Sequence, residues 1–166
     1  MPNISDSMLK MFIHESKQAR VVLECAEGID LDFMPREGMR NLKELANHLA
    51  QIPLMDPSVY RGEIENMEQI QAREKELLRD DIAGMISVFD EGVESVKTQF
   101  TGMSDEEFLA ATMQPFYEQK EKKPWEYYFA EFTTHISMHK MQLWMYLKLA
   151  GADVNMMTYY GIPGEA

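Results

Sequence analysis

The stretch of sequence that decides the fold spans residues 124–150 and reads PWEYYFAEFTTHISMHKMQLWMYLKLA. On a helical wheel at about 100° per residue, its large apolar side chains fall within about 60° of Phe132. These residues are Trp125, Tyr128, Phe129, Ile136, Leu143, Tyr146, Leu147 and Ala150. Pro124 suits the first helical position, and Gly151 suits a helix stop. The sequence therefore predicts a helix from Pro124 to Ala150 with one buried face.

Two histidines of this helix point toward its buried face. His139 lies about 20° from the centre of the apolar stripe, His135 about 60° and Gln142 about 80°. Side chains four residues apart stand one above the other on a helix, so both imidazoles can reach one ion at the roughly 2.0–2.1 Å of a Zn–N bond. The pair alone does not indicate a zinc protease of the His-Glu-x-x-His type, because Ile136 stands where that motif has glutamate.

Working outward from this helix, three further segments show helical periodicity. They run from Ser5 to Glu27, from Gly38 to Ile52, where Pro53 closes the helix, and from Glu63 to Phe100. Ser104 and Glu107 match a capping box and predict a short extra helical turn, and residues 155–166 are predicted to form a carboxyl-terminal strap over the bundle. We therefore expect an all-α four-helix bundle, with residues 1–166 forming a single domain.

A third inward histidine completes a candidate metal site. His48 lies about 60° from the apolar stripe of the second helix, whereas His14 lies about 200° from Phe12, on the outer face of the first helix. Each inward histidine has a simpler explanation as a hydrogen-bonded core residue. Three neutral imidazoles without a metal, however, leave several buried nitrogens in need of partners. Three nitrogen ligands with one open position suit Zn, Ni or Fe, so we predict one such divalent ion at His48, His135 and His139.

Two short motifs resemble the DinB/YfiT-like family of metal-binding four-helix bundles. One is Lys43-Glu44-Leu45-Ala46-Asn47-His48-Leu49, and the other is His135-x-x-x-His139-x-x-Gln142 followed by Leu147 and Gly151. The resemblance assigns His48, His135 and His139 as the metal ligands. The family often has a basic residue and glycine between the second histidine and the glutamine. Lys140 and Met141 stand there in this chain, and we predict that they lie on the outer face.

The resemblance also implies what the metal does. Family members are similar to transferases and isomerases that use low-molecular-weight thiols, and others are assigned as hydrolases. We therefore expect a low-molecular-weight-thiol S-transferase acting on a small-molecule substrate. A metal-dependent hydrolase and a non-catalytic metal-binding or interaction protein are the alternatives. An open coordination position on a pocket favours catalysis, whereas a fourth protein ligand favours a structural site.

Three polar residues on the inward faces are candidates for a substrate pocket: Glu15, Gln142 and Tyr146. Glu15 is the acidic residue on the apolar stripe of the first helix, so it can serve as a base or as an acceptor for a ligand histidine. A carboxylate that reaches out to water is its simpler explanation. Gln142 can orient a substrate or form an interhelical hydrogen bond.

Composition excludes several other functions. The formal net charge of −12 opposes binding to nucleic acid. No run of residues approaches the roughly 20 apolar positions of a membrane span. Cys25 is the single cysteine, which precludes an internal disulfide and favours the reducing cytoplasm. The long third helix and the apolar tail favour a homodimer.

Overall fold

The computed structural model describes residues 3–162, and within them it contains seven helices. These are α1 (Ile4–Glu24), α2 (Leu42–Tyr60), α3 (Met67–Leu77), α4 (Ile82–Phe100), α5 (Asp105–Leu109), α6 (Trp125–Leu149) and α7 (Met156–Tyr159). The all-α class is confirmed for this part of the chain.

The four long helices α1, α2, α4 and α6 form the bundle. α1 packs against α4 and α6, and α2 packs against the same two helices, so α1 and α2 lie across a diagonal from each other. Aromatic side chains fill the end of the core where α4, α5 and α6 meet: Phe100, Phe108, Trp125 and Phe129 contact one another edge to face. Among residues 3–162, no helix has both the length and the apolar character needed to span a bilayer.

The second helix is longer than its sequence predicts. α2 begins at the Asn41 capping box, in which the Asn41 side chain accepts from the Glu44 amide and Glu44 accepts from the Asn41 amide. It then continues through Pro53 and Pro57 to Tyr60, so the predicted end at Ile52 is wrong. Proline removes one helical hydrogen bond and usually kinks or ends a helix. Here Pro53 is buried and packs closely against α4 at Gly92, so tertiary contacts offset the lost hydrogen bond.

The predicted third helix is in fact two helices. α3 ends at Leu77 and α4 begins at Ile82, where the Asp81 side chain caps the new helix by accepting from the Gly84 amide at 2.7 Å. The Asn47 side chain, from α2, pins the break by accepting from the Arg79 amide and donating to the Arg79 carbonyl, both at 2.9 Å. A continuous apolar pattern across the two helices concealed this break.

Helices α5, α6 and α7 lie where the sequence predicted helical or strap segments. α5 begins at the Ser104–Glu107 capping box, and α6 matches the predicted fourth helix to within one residue at each end. The first part of the predicted strap contains α7, which packs on α1 and α6. Residues 163–166 of that strap lie outside the described residues.

The close approach of α4 to α2 at Pro53 depends on Gly92. A Cβ atom at position 92 would lie 2.8 Å from the Pro53 Cβ and 3.1 Å from the Leu54 backbone nitrogen. Neither neighbour can move without displacing α2. We predict that Gly92→Ala lowers the free energy of unfolding by about 1 kcal/mol or more, because overpacking outweighs the gain in helix propensity. Urea denaturation measures this change.

Glu91→Ala is the matched control, because Glu91 is exposed on the same helix. It should change the free energy of unfolding by less than about 0.5 kcal/mol. A Gly92→Ala protein as stable as the parent would show that α2 and α4 do not depend on this contact.

Candidate metal centre

The three predicted ligands come from two helices that pack side by side. His48 lies in the first half of α2, and His135 and His139 lie one turn apart on α6. His139 is buried, and His48 and His135 are half-buried. The packing of α2 on α6 brings His48 next to His135 and His139, which lie near the carboxyl end of the chain.

The three imidazoles converge on one point. The candidate ligand atoms of His48, His135 and His139 all lie within 4.8 Å of one another. The Nε2 atoms of His48 and His139 are 3.1 Å apart. Two nitrogens bound tetrahedrally to zinc at about 2.05 Å are separated by about 3.3 Å, so this spacing fits two ligands of one ion. The three histidines can therefore hold a divalent metal ion.

Hydrogen bonds orient two of the three rings. The Nδ1 atom of His135 lies 2.7 Å from Oδ2 of Asp56, and a carboxylate only accepts, so His135 donates from Nδ1. The Nδ1 atom of His139 lies 2.6 Å from Oε1 of Gln142 and donates in the same way. A neutral imidazole protonated at Nδ1 has a free lone pair at Nε2. Both α6 histidines therefore present an unprotonated Nε2 to the common point, as metal-binding histidines do.

Burial keeps His48 and His139 neutral. It is the largest cause lowering the pKa of His48 to about 3, and the nearby His139, Arg40 and His135 add smaller unfavourable charges. Burial also lowers the pKa of His139, against an opposing hydrogen bond to Gln142. Since metal ligation requires neutral imidazole, both histidines are ready to bind an ion at pH 7.

Asp56 is the functional residue that the sequence did not reveal. It lies eight residues after His48, about 80° round the same helix, which places both on neighbouring faces. The sequence predicted that α2 ends at Ile52, so Asp56 was assigned to a loop. The signal that can find it is a carboxylate two helical turns beyond a candidate ligand, provided that the helix is allowed to pass through Pro53.

The three residues predicted for a substrate pocket lie in different surroundings. Gln142 contacts His139 directly. Tyr146 is buried in the hydrophobic core. Glu15 lies against Lys140, with its Oε1 atom 2.7 Å from Nζ. His14 is exposed, as its position on the helical wheel predicted.

Of the two residues predicted on the outer face, Met141 is exposed, but Lys140 is not, so the prediction is wrong for Lys140. It is only 1% exposed, and it donates to Oε1 of Gln18 at 2.6 Å in addition to its ion pair with Glu15. Its Nζ atom also lies 4.2 Å from the centre of the Tyr159 ring. A buried ammonium requires such compensation. The helical wheel misplaced Lys140 because α1 and the α7 segment together cover a face of α6 that a bundle without α7 would leave in water.

A cavity of about 720 Å³ opens beside His135. Its wall follows one face of α6 and includes Tyr60 from α2; the lining residues are Tyr60, Glu126, Tyr127, Ala130, Glu131, Thr134, His135 and Met138. A smaller cavity of about 160 Å³ adjoins His48 and Asp56. The larger space is of the size that small-molecule sites occupy.

Comparison with known proteins shows the fold. No protein-family model matches the sequence, and no curated protein matches it. The structure is similar to that of a protein from Exiguobacterium sibiricum 255-15 that is provisionally assigned to the DinB family. The TM-score is 0.75 at 19% sequence identity, over 95% of this chain and 99% of the other. The chain therefore has a DinB-like fold, as its motifs predicted.

We predict that the purified protein binds about one equivalent of Zn, Ni or Fe per chain, because three convergent imidazoles, two of them with free Nε2 lone pairs, suit these ions. Replacing His139 with Ala should abolish binding, since it removes the buried central ligand. His14→Ala is the matched control and should leave binding unchanged. Elemental analysis after dialysis measures both, and equal metal loss in the two variants would refute the assignment.

Proposed function

We propose that the protein is a metal-dependent enzyme in which His48, His135 and His139 bind one divalent transition metal that activates a low-molecular-weight thiol for transfer to a small electrophile. The observation that carries this proposal is the set of three convergent histidines, two of them oriented by Asp56 and Gln142. When bound, such an ion lowers the pKa of a coordinated thiol or water and so supplies a nucleophile at neutral pH.

The protein groups around the site favour catalysis over a structural role. Among residues 3–162, the candidate ligand set contains the three histidines and no fourth side chain. Three protein ligands leave a coordination position for a substrate, whereas structural zinc sites usually have four. Glu15, the acidic candidate on α1, is engaged by Lys140 and adds no ligand.

The cavity beside His135 supplies the space for an acceptor substrate. Its wall combines aromatic rings, the Met138 side chain and two carboxylates. Apolar walls with a few polar groups are typical of small-molecule sites. Because His135 is part of the wall, a molecule in the cavity lies next to the metal ligands.

A metal-dependent hydrolase is the second candidate, and Glu131 favours it. This carboxylate lies one helical turn before His135 and lines the same cavity. Partial burial, followed by the charge of Asp56, raises its pKa above the usual range. A carboxylate with a raised pKa is a better proton acceptor for a nucleophilic water.

The expected homodimer and the expected cytoplasmic location stay predictions.

We predict that a thiol binds at the open coordination position. In protein loaded with Co²⁺, millimolar cysteine or glutathione should produce a sulfur-to-cobalt charge-transfer absorption, because a thiolate replaces a weaker ligand. Transfer of the same thiol to a small electrophile should then depend on the metal. Cys25→Ser is the control, since it removes the chain's own half-buried thiol without touching the site.

The result decides among three functions. A spectral change with metal-dependent thiol transfer supports the proposal. Metal-dependent ester hydrolysis without thiol transfer would favour the hydrolase instead. A cobalt spectrum that no thiol or anion perturbs at millimolar concentration would contradict both and leave a structural metal site.

A further inference from the structure

The cavity beside His135 has a chemical character of its own. Four of its lining residues, Tyr127, Glu131, His135 and Met138, follow one another at steps of four, four and three along α6. This spacing places them on a single face of the helix. The cavity is therefore a groove that runs from the candidate metal ligand toward the amino-terminal end of α6.

We propose that this groove binds an organic ammonium group, a protonated amine or a quaternary ammonium carried on an apolar body, as the recognised part of the substrate. The proposal deepens the proposed function and rests on it, because His135 belongs to both the groove and the metal site.

The fixed charges of the groove are negative. Glu126 and Glu131 are in its wall, and among the described residues 3–162 no lysine or arginine lines it. The neighbouring base is Lys123, whose Nζ atom lies 2.5 Å from Oε2 of Glu118, so its charge is neutralised by another carboxylate. An anionic substrate would meet unfavourable potential here, whereas a cation would be attracted.

The titratable groups beside the groove have raised pKa values, and burial is the largest cause of each shift. After burial, the charge of Asp56 is the next cause that raises the pKa of Glu131, and the weaker effects of Lys123 and His135 oppose it. Burial likewise raises the pKa of Tyr60 and Tyr117, and Asp56 and Glu131 raise them further. The phenols therefore remain neutral. A ligand cation in the groove would be attracted by the Glu131 carboxylate in its wall.

The aromatic walls suit the same ligand. Tyr60 and Tyr127 line the groove, and the faces of aromatic rings attract cations. Rings combined with carboxylates are the usual elements of ammonium recognition.

The preference for a cationic ligand is particular to this groove. The polar surface on the other side of His48 is lined by Arg40 and Lys75 together with Glu44 and Glu74, so basic and acidic groups balance there. A carboxylate-bearing thiol is better accommodated on that side. The ammonium-bearing acceptor would then approach the metal from the His135 side.

Three ligands of matched shape test the proposal: 2-phenylethylammonium, 2-phenylethanol and 3-phenylpropanoate. Isothermal titration and the ¹³C-methyl resonance of Met138 measure their binding to zinc-loaded protein. The ammonium should bind about fivefold to tenfold more tightly than the alcohol, the size expected for one partly exposed ion pair with a cation–π contact. In chelated protein, where its carboxylate cannot coordinate the ion, the propanoate should bind most weakly, and added salt should reduce the preference.

Glu131→Gln should remove most of the preference for the ammonium, because it deletes the carboxylate nearest to His135 on α6. Glu91→Gln is the matched control, since Glu91 is exposed on α4 and does not line the groove. It should retain the full preference. Equal affinity for the three ligands, or equal losses in the two variants, would overturn the proposal.

Repeating the titration on chelated protein with phenethyltrimethylammonium, which cannot coordinate a metal, separates this inference from the proposed function. Retained ammonium binding in a protein that shows no thiol response would refute the thiol transferase and keep the groove assignment. A normal thiol response with no ammonium preference would refute the groove assignment alone.

Discussion

The hydrogen bonds at the Nδ1 atoms of His135 and His139 are the constraint on which the site depends. Asp56 and Gln142 accept these protons and thereby leave the Nε2 lone pairs of both rings free, that of His139 3.1 Å from the Nε2 atom of His48. If either ring were protonated at Nε2 instead, the proton would occupy the position that a metal requires. The i, i+4 spacing on α6 brings the rings together, but these two acceptors determine which nitrogen each ring presents.

One of the two acceptors, Asp56, can reach His135 only because α2 continues past Pro53. The extra turns bring Asp56 level with His135, and α4 supports them by packing closely where Gly92 has no side chain. A buried proline and a glycine on the opposing helix thus contribute to a candidate metal site that neither of them contacts. Helix packing, more than helix propensity, fixes the position of the Asp56 carboxylate.

The periodicity of the sequence predicted the bundle, the final helix and the inward histidines, because those features are repeated along each helix. It failed where a single contact overrides the local pattern. Pro53 should end a helix, yet the packing of α4 sustains it. Lys140 should face water, yet Glu15, Gln18 and Tyr159 enclose it. The role of Asp56 was also invisible, since it depends on the distance between two helices and not on spacing within one.

The tautomers of His135 and His139 test the central claim most directly. Two-dimensional ¹H–¹⁵N NMR of the imidazole nitrogens, recorded on metal-free protein near neutral pH, distinguishes a ring protonated at Nδ1 from one protonated at Nε2. The account predicts Nδ1–H for both residues, with Asp56→Asn disturbing His135 and leaving His139 in place. Nε2–H tautomers at His135 and His139 would contradict it, because the rings would then present a proton where the metal should bind.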